Sequence, residues 1–210
     1  ASAHALSAVT IPTTLHDLLM ARLDQMGAAK GTAQLAATIG RECGFGLLQA
    51  VSSVEDETLR HDLRRLVDAE LLYQRGVGAQ ATYLFKHALI QEAAYTSLLR
   101  RTRQRYHHWI AEALETQFAE VAMVQPELVA HHYTEAGLIE QALPYWLRAG
   151  RRAMERSANV EVINHLTKGI ELLKKFEETP EFLQQELEFL TALGPAQQAL
   201  KGFGASEVRQ

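Results

Sequence analysis

The chain has 210 residues, of which 47% are hydrophobic and 22% charged, so it has room for one large or two small globular domains. A net charge of -4 and a pI near 6.2 disfavour a general nucleic-acid or anionic-membrane surface. No apolar run approaches the roughly 18 residues that a membrane span needs, and the lone Cys43 excludes an internal disulfide. We expect a cytoplasmic protein. Because residues 1–11 read as a linker without a starting methionine, we also expect a piece of a longer polypeptide.

Residues 12–100 predict a winged-helix domain. Apolar spacing predicts helices after Pro12, over 29–39, over 44–51 and after Ser53, which is a candidate helix cap. The predicted first helix has an apolar stripe that includes Leu18. Two strands, 71–75 and 81–86, flank the glycine-rich turn 76–78 as a hairpin. Helices followed by a β-hairpin are the element order of a winged helix, a variant of helix-turn-helix.

His87 stands at the joint between the last strand and the helix that follows. Tyr83 and Phe85 alternate with polar or outward positions, whereas the apolar period from Leu89 onward is helical. A histidine at a helix N-terminus can add a donor to a bound phosphate, because the free N–H groups there already favour anions. The alternative is a histidine that caps its helix and packs between hairpin and helix.

DNA binding is the usual function of a winged helix, but the predicted recognition helix is acidic. Between Glu55 and Glu70 six carboxylates oppose three arginines, and such a helix would be repelled by phosphate. We therefore expect no DNA contact through this element.

Residues 101–125 predict a connecting amphipathic helix whose first turn is rich in arginine. A solvated basic surface is the simpler interpretation, and a phosphate-binding patch is the alternative. The pairs His107–His108 and His131–His132 invite a metal interpretation. Adjacent residues point to different sides of a helix, and no carboxylate or cysteine recurs at a ligand spacing, so we expect no metal site.

Residues 126–210 predict paired helices that resemble tetratricopeptide repeats. Large and small residues alternate on two successive helices as a close helix pair requires: Trp146, Ala149, Gly150, Ala153, then Val162, Leu166, Gly169. One repeat is well formed in sequence. Degenerate neighbours are expected on both sides, the later one through Phe182, Leu183, Leu187, Leu190 and Leu193. About three units are needed to bury a solenoid core, so we expect the array to continue past Gln210.

Catalytic motifs are missing from the sequence. It has no phosphate-binding G-x-x-x-x-G-K-[S/T] loop, no G-x-S-x-G nucleophile elbow, no H-E-x-x-H and no dinucleotide fingerprint. We expect no catalytic residue and no cofactor held by this chain alone.

Three stretches, 11–24, 36–42 and 85–99, resemble the region that follows the ATPase core in bacterial STAND-type predicted ATPases, many of which are fused to class III adenylate/guanylate cyclase domains. The resemblance implies an ATP- or ADP-binding domain upstream, then a winged helix, then repeats. Cys43 stands where an aromatic residue is usual in that family. In related proteins a winged-helix histidine contacts the β-phosphate of ADP, which implies the same role for His87, although Lys86 and Ala88 differ from the family triplet.

The resemblance implies a non-catalytic regulatory segment that couples nucleotide state to repeats, which bind a protein partner or the protein's own output domain. Two alternatives stay open: a DNA-binding winged-helix regulator and a free-standing scaffold of tetratricopeptide-like repeats.

Overall fold

The computed structural model describes residues 15–176 and 179–201. The predicted linker at 1–11, the predicted helix start at 12–14 and the expected continuation of the repeats after residue 201 lie outside the described residues. Within them the protein is mostly α-helical, with one small antiparallel sheet. The chain divides into two compact units between Thr102 and Arg103. No helix in the described ranges combines the length and the apolar character that crossing a membrane requires.

The first unit alternates short helices and strands. In chain order these are α1 (Leu15–Asp24), α2 (Ala29–Ile39), β1 (Glu42–Gly44), α3 (Phe45–Val51), α4 (Asp56–Asp68), β2 (Leu72–Arg75), β3 (Thr82–Phe85) and α5 (Ala88–Thr96). Helix α2 has the bounds that its apolar spacing predicts. Strand β1 was not predicted, because three residues are too few to show a period of two.

The three strands form an antiparallel sheet in the order β1-β3-β2. The predicted hairpin is confirmed, since β2 pairs with β3 and Gln74 lies opposite Tyr83. Along β3, Tyr83 and Phe85 are buried and their neighbours are partly exposed, as the alternation predicts. Gly76 begins the connection at φ 71°, and a Cβ there would lie 3.2 Å from the Gln80 carbonyl oxygen, so this turn needs glycine.

Three details of the first unit differ from the prediction. Leu18 on α1 is 50% exposed, because the buried side of that helix carries Leu19 and Leu23 instead. Leu89 on α5 is 48% exposed, because the buried side of α5 carries Ile90, Ala93 and Ala94. Ser53 does not cap α4. The residue before that helix is Glu55, which has an extended backbone and makes no side-chain capping hydrogen bond.

The second unit is helical throughout its described residues. It contains most of α6 (Arg100–Thr116), then α7 (Ala119–Val124), α8 (Pro126–Ala136), α9 (Ile139–Glu155), α10 (Asn159–Leu173) and α11 (Pro180–Lys201). Where one connecting helix was predicted there are two, α6 and α7. The break falls at Phe118, whose φ of -121° and ψ of 43° leave the helical region while its N–H bonds to the Ala113 carbonyl oxygen.

Helices α8 to α11 pack in sequence, each against the next. Glycine allows the closest contacts: a Cβ on Gly150 would lie 2.3 Å from Leu166 Cδ2, and one on Gly169 would lie 2.0 Å from Phe189 Cε1. The residues that carry the repeat pattern are buried as predicted: Trp146, Ala149, Gly150 and Ala153 on α9, and Val162, Leu166 and Gly169 on α10. On α11 the prediction is partly wrong, because Leu183, Leu187 and Leu190 are exposed and the buried line runs through Phe189, Leu193 and Ala196.

Candidate functional site

His87 is the residue immediately before α5, at the end of the hairpin. Its backbone is extended (φ -135°, ψ 145°), and its carbonyl oxygen accepts the Ile90 N–H at 3.0 Å, which starts the helix. The side chain is exposed and makes no capping hydrogen bond. The alternative role, a side chain that caps the helix and packs between hairpin and helix, is therefore wrong. An exposed imidazole beside the free N–H groups of a helix is accessible to a phosphate group.

The residue before His87, Lys86, is held by contacts on the sheet side. The Lys86 ammonium lies 3.0 Å from a Glu70 carboxylate oxygen and 5.5 Å from the centre of the Tyr73 ring. This pairing, by hydrogen bond and by charge, lowers the pKa of Glu70 and raises that of Lys86. Glu70 has a left-handed backbone (φ 56°), and the carbonyl oxygen of the preceding Ala69 accepts a hydrogen bond from Arg22 at 2.7 Å. The side chain of Lys86 is thus engaged by Glu70, whereas the side chain of His87 is exposed.

The acidic character of α4 is only partly a surface property. Asp62 is 3% exposed and accepts a hydrogen bond from Thr32 on α2 at 2.7 Å, so it belongs to the core. Arg60 lies with its guanidinium 4.0 Å from the centre of the Phe45 ring. The remaining acids of the stretch are exposed, among them Glu57 and Asp68. Across residues 55–70, five exposed carboxylates therefore still oppose three arginines.

A groove runs between α9 and α11 in the second unit. It comprises two pockets of about 190 and 510 Å³ that share Glu188. The first is lined mainly by apolar side chains, including Leu143 and Leu147, and the second mixes Leu187 with polar groups. Arg151 lies 3.3 Å from the Glu188 carboxylate across it. A groove with apolar walls and a few charged groups is suited to a peptide segment.

Two of the histidines considered for a metal site meet in the core of the second unit. His107 on α6 and His132 on α8 are each 1% exposed, and their Nδ1 atoms lie 2.8 Å apart. Their sequence positions carried a signal, because His107 falls on the line of Ile110 and Leu114 and His132 follows the buried Val129. Among the described residues no group of three or more histidine, cysteine or acidic side chains is arranged to hold a metal ion.

Cys43 is buried in β1 and is an unreactive thiol. Burial, reinforced by the Glu42 charge, raises its pKa to about 12. Because the thiolate is the nucleophilic form, this cysteine is not a candidate for covalent chemistry at neutral pH.

The chain is similar in sequence to a bacterial protein about five times its length. The chain is 29% identical over 199 residues to a protein of Rhizobium meliloti (strain 1021) described as "Uncharacterized protein R02095". The match covers 94% of the chain, which spans 19% of the length of that relative. No family model matches the chain, and no solved structure matches it.

Proposed function

We propose that this chain is a non-catalytic regulatory and protein-interaction segment of a larger signalling ATPase. The observation that carries the proposal is the topology of the first unit. After α1, the order is a helix (α2), a strand (β1), two helices (α3 and α4) and the hairpin of β2 and β3, and the first strand pairs with the last in the sheet order β1-β3-β2. This is the arrangement expected of a winged helix.

In the proposal the second unit consists of tetratricopeptide-like repeats. Support comes from the close contacts at Gly150 and Gly169 and from the neighbour-to-neighbour packing of α8 to α11. The groove between α9 and α11 is the surface we assign to a protein partner or to the output domain of the same polypeptide.

In this proposal, His87 is the residue of this chain that contacts the nucleotide. ATP or ADP would be held by an ATPase domain elsewhere in the longer protein, and His87 would donate a hydrogen bond to the β-phosphate of ADP. Its exposure at the start of α5 supports this role. The length of the Rhizobium relative, of which the chain spans 19%, leaves room for such a domain.

The test is ADP binding by the full-length protein. We expect His87→Ala to weaken the affinity for a fluorescent ADP analogue about tenfold, as the loss of one charge-assisted hydrogen bond implies, and to raise basal output. His61→Ala is the matched control, since His61 is also exposed and lies on α4 of the same unit. Unchanged ADP affinity and output in the His87 variant would refute the nucleotide-sensing role. Absence of a phosphate-binding loop upstream in the coding sequence would refute the ATPase assignment and favour a free-standing scaffold.

DNA binding is the competing function for a winged helix. The excess of exposed acids over residues 55–70 disfavours it, because these carboxylates would face phosphates. A gel-shift titration with duplex DNA separates the two proposals. Salt-sensitive binding by this chain would support the DNA-binding regulator instead.

A further inference from the structure

Two kinds of polar contact join α6 to α8 in the second unit. One is the buried pair His107–His132. The other is made by Glu115 near the end of α6, whose carboxylate accepts hydrogen bonds from Tyr133 on α8 and, at 2.7 Å, from Tyr145 on α9. Of these contacts, only the histidine pair is fully buried on both sides.

The distance between the two imidazoles fixes how many protons they can carry. At 2.8 Å, one Nδ1 must donate its hydrogen and the other must accept with its lone pair. One added proton leaves this bond intact when the donor ring takes it at its second nitrogen, Nε2. Two added protons break the bond, because both facing Nδ1 atoms then carry hydrogens. His132 Nε2 is buried without a hydrogen-bond partner, so a charge on that ring is poorly compensated.

We propose that the His107–His132 pair is a proton-operated latch, which holds α6 against α8 at neutral pH and releases it in acid. The proposal is independent of the function proposed above. It assigns the pair to regulation of the second unit, whose helix packing would loosen when the latch opens.

The charged surroundings of the pair favour its neutral form. Arg103 on α6 and His131 on α8 act on the pair and disfavour added positive charge. His131 is exposed, and its ring meets that of His107 edge-on, with centroids 5.7 Å apart. Glu135 on α8 and Lys168 on α10 act on His131 with opposite signs.

The sign of the pH effect follows from these surroundings. Burial lowers the pKa of His107 to about 4, and burial also lowers the pKa of His132. An unfolded or released chain therefore binds more protons than the latched one once the pH falls below about 6.5. Above that pH the neutral histidine pair contributes its full stabilisation of the latched state. This contribution is lost as the pH falls toward the pKa values of the two histidines in the folded protein.

Histidine NMR of the chain tests the latch directly. At pH 7.5 we expect one ring to carry its proton on Nδ1 and the other on Nε2. Both should stay neutral through the pH at which free histidine in the same buffer titrates, and both should then protonate together as contacts between α6 and α8 disappear. The proposal is overturned if His107 and His132 titrate at the same pH as free histidine while the contacts between α6 and α8 stay intact.

Tryptophan fluorescence supplies a second measurement, because both tryptophans of the chain, Trp109 and Trp146, lie in the second unit. We expect a reversible change in emission between about pH 6 and pH 4. The double variant His107→Asn/His132→Asn keeps an amide in place of each Nδ1 and should shift this change about one pH unit lower or more. The control is His108→Asn at an exposed position. An unshifted transition in the double variant contradicts the latch. If that variant is already unfolded at pH 7.5, the NMR titration decides.

Discussion

Alanine at position 169 would place a methyl group inside the ring of Phe189. The added Cβ would lie 2.0, 2.5 and 2.7 Å from the ring atoms Cε1, Cζ and Cδ1, whereas carbon atoms in contact sit about 3.5–4.0 Å apart. Phe189 is 2% exposed and is enclosed by the core. Helices α10 and α11 must therefore separate, or the ring must leave its preferred rotamer.

The size of the effect follows from two opposing terms. Overpacking a filled core costs about 1–3 kcal/mol, and the upper end applies where the neighbour cannot move away. Replacing glycine by alanine inside a helix stabilises the helix by about 1 kcal/mol, because alanine has the higher helix propensity. We expect Gly169→Ala to lower the free energy of unfolding of the second unit by about 2 kcal/mol. For a unit of about 100 residues this corresponds to a fall in melting temperature of about 8–16 °C.

Thermal unfolding followed by tryptophan fluorescence measures this effect in the relevant unit, since Trp109 and Trp146 both belong to it. The decisive control is a double-mutant cycle with Phe189→Leu, which trims the ring that the methyl group strikes. Phe189→Leu alone should destabilise by leaving a cavity, but with Gly169→Ala the loss should be clearly less than additive. A Gly169→Ala variant that melts at or above the wild-type temperature would refute the packing described for α10 and α11.

Two further predictions concern the first unit. Thr32→Val removes the hydrogen bond to the buried Asp62 and leaves the carboxylate without this donor. We expect the free energy of unfolding, measured by urea denaturation followed by circular dichroism, to fall by about 1.5–3 kcal/mol. The double variant Thr32→Val/Asp62→Leu should recover most of this loss, and fully additive effects of the two substitutions would contradict the pairing. Cys43 should resist iodoacetamide at pH 8 until the chain is unfolded, because burial raises its pKa to about 12; rapid labelling of the native protein, followed by mass spectrometry, would show that the thiol is accessible.

The sequence alone predicted much of the helical framework. The spacing of Ala33, Leu35 and Ala36 predicted α2 with its observed bounds, and the alternation around Tyr83 predicted β3 and its inward face. Both predictions succeed because a regular element repeats one local pattern, which is visible without knowing what lies across from it. The contacts of Gly150 and Gly169 belong to the same class, since small residues spaced on a helix face indicate a close neighbour.

Features that depend on a distant partner were not predicted. Strand β1 forms because Cys43 pairs with Tyr83, which lies 40 residues further along the chain. A stretch of three residues is too short to indicate such a pairing from its own sequence. Leu187 is exposed and Phe189 is buried, although both are apolar, because only the line through Phe189 meets α10. His87 was placed correctly at the start of α5, but its exposure depended on how the hairpin folds beside it.

The buried polar residues show what additional inference a sequence allows. The acid count over residues 55–70 includes Asp62, and the sequence pattern does not connect His107 with His132. Both Asp62 and His107 nevertheless lie on the apolar line of their helix, and each has its partner on another helix. Burying a polar group without a partner costs several kcal/mol, so a polar residue on an apolar line implies a complementary one elsewhere. Thr32 on α2 and His132 on α8 are those complements, and both also lie on buried faces. A polar residue on the apolar line of one helix and a complementary one on the buried face of another therefore indicate a long-range contact, and the protein has one such contact in each unit.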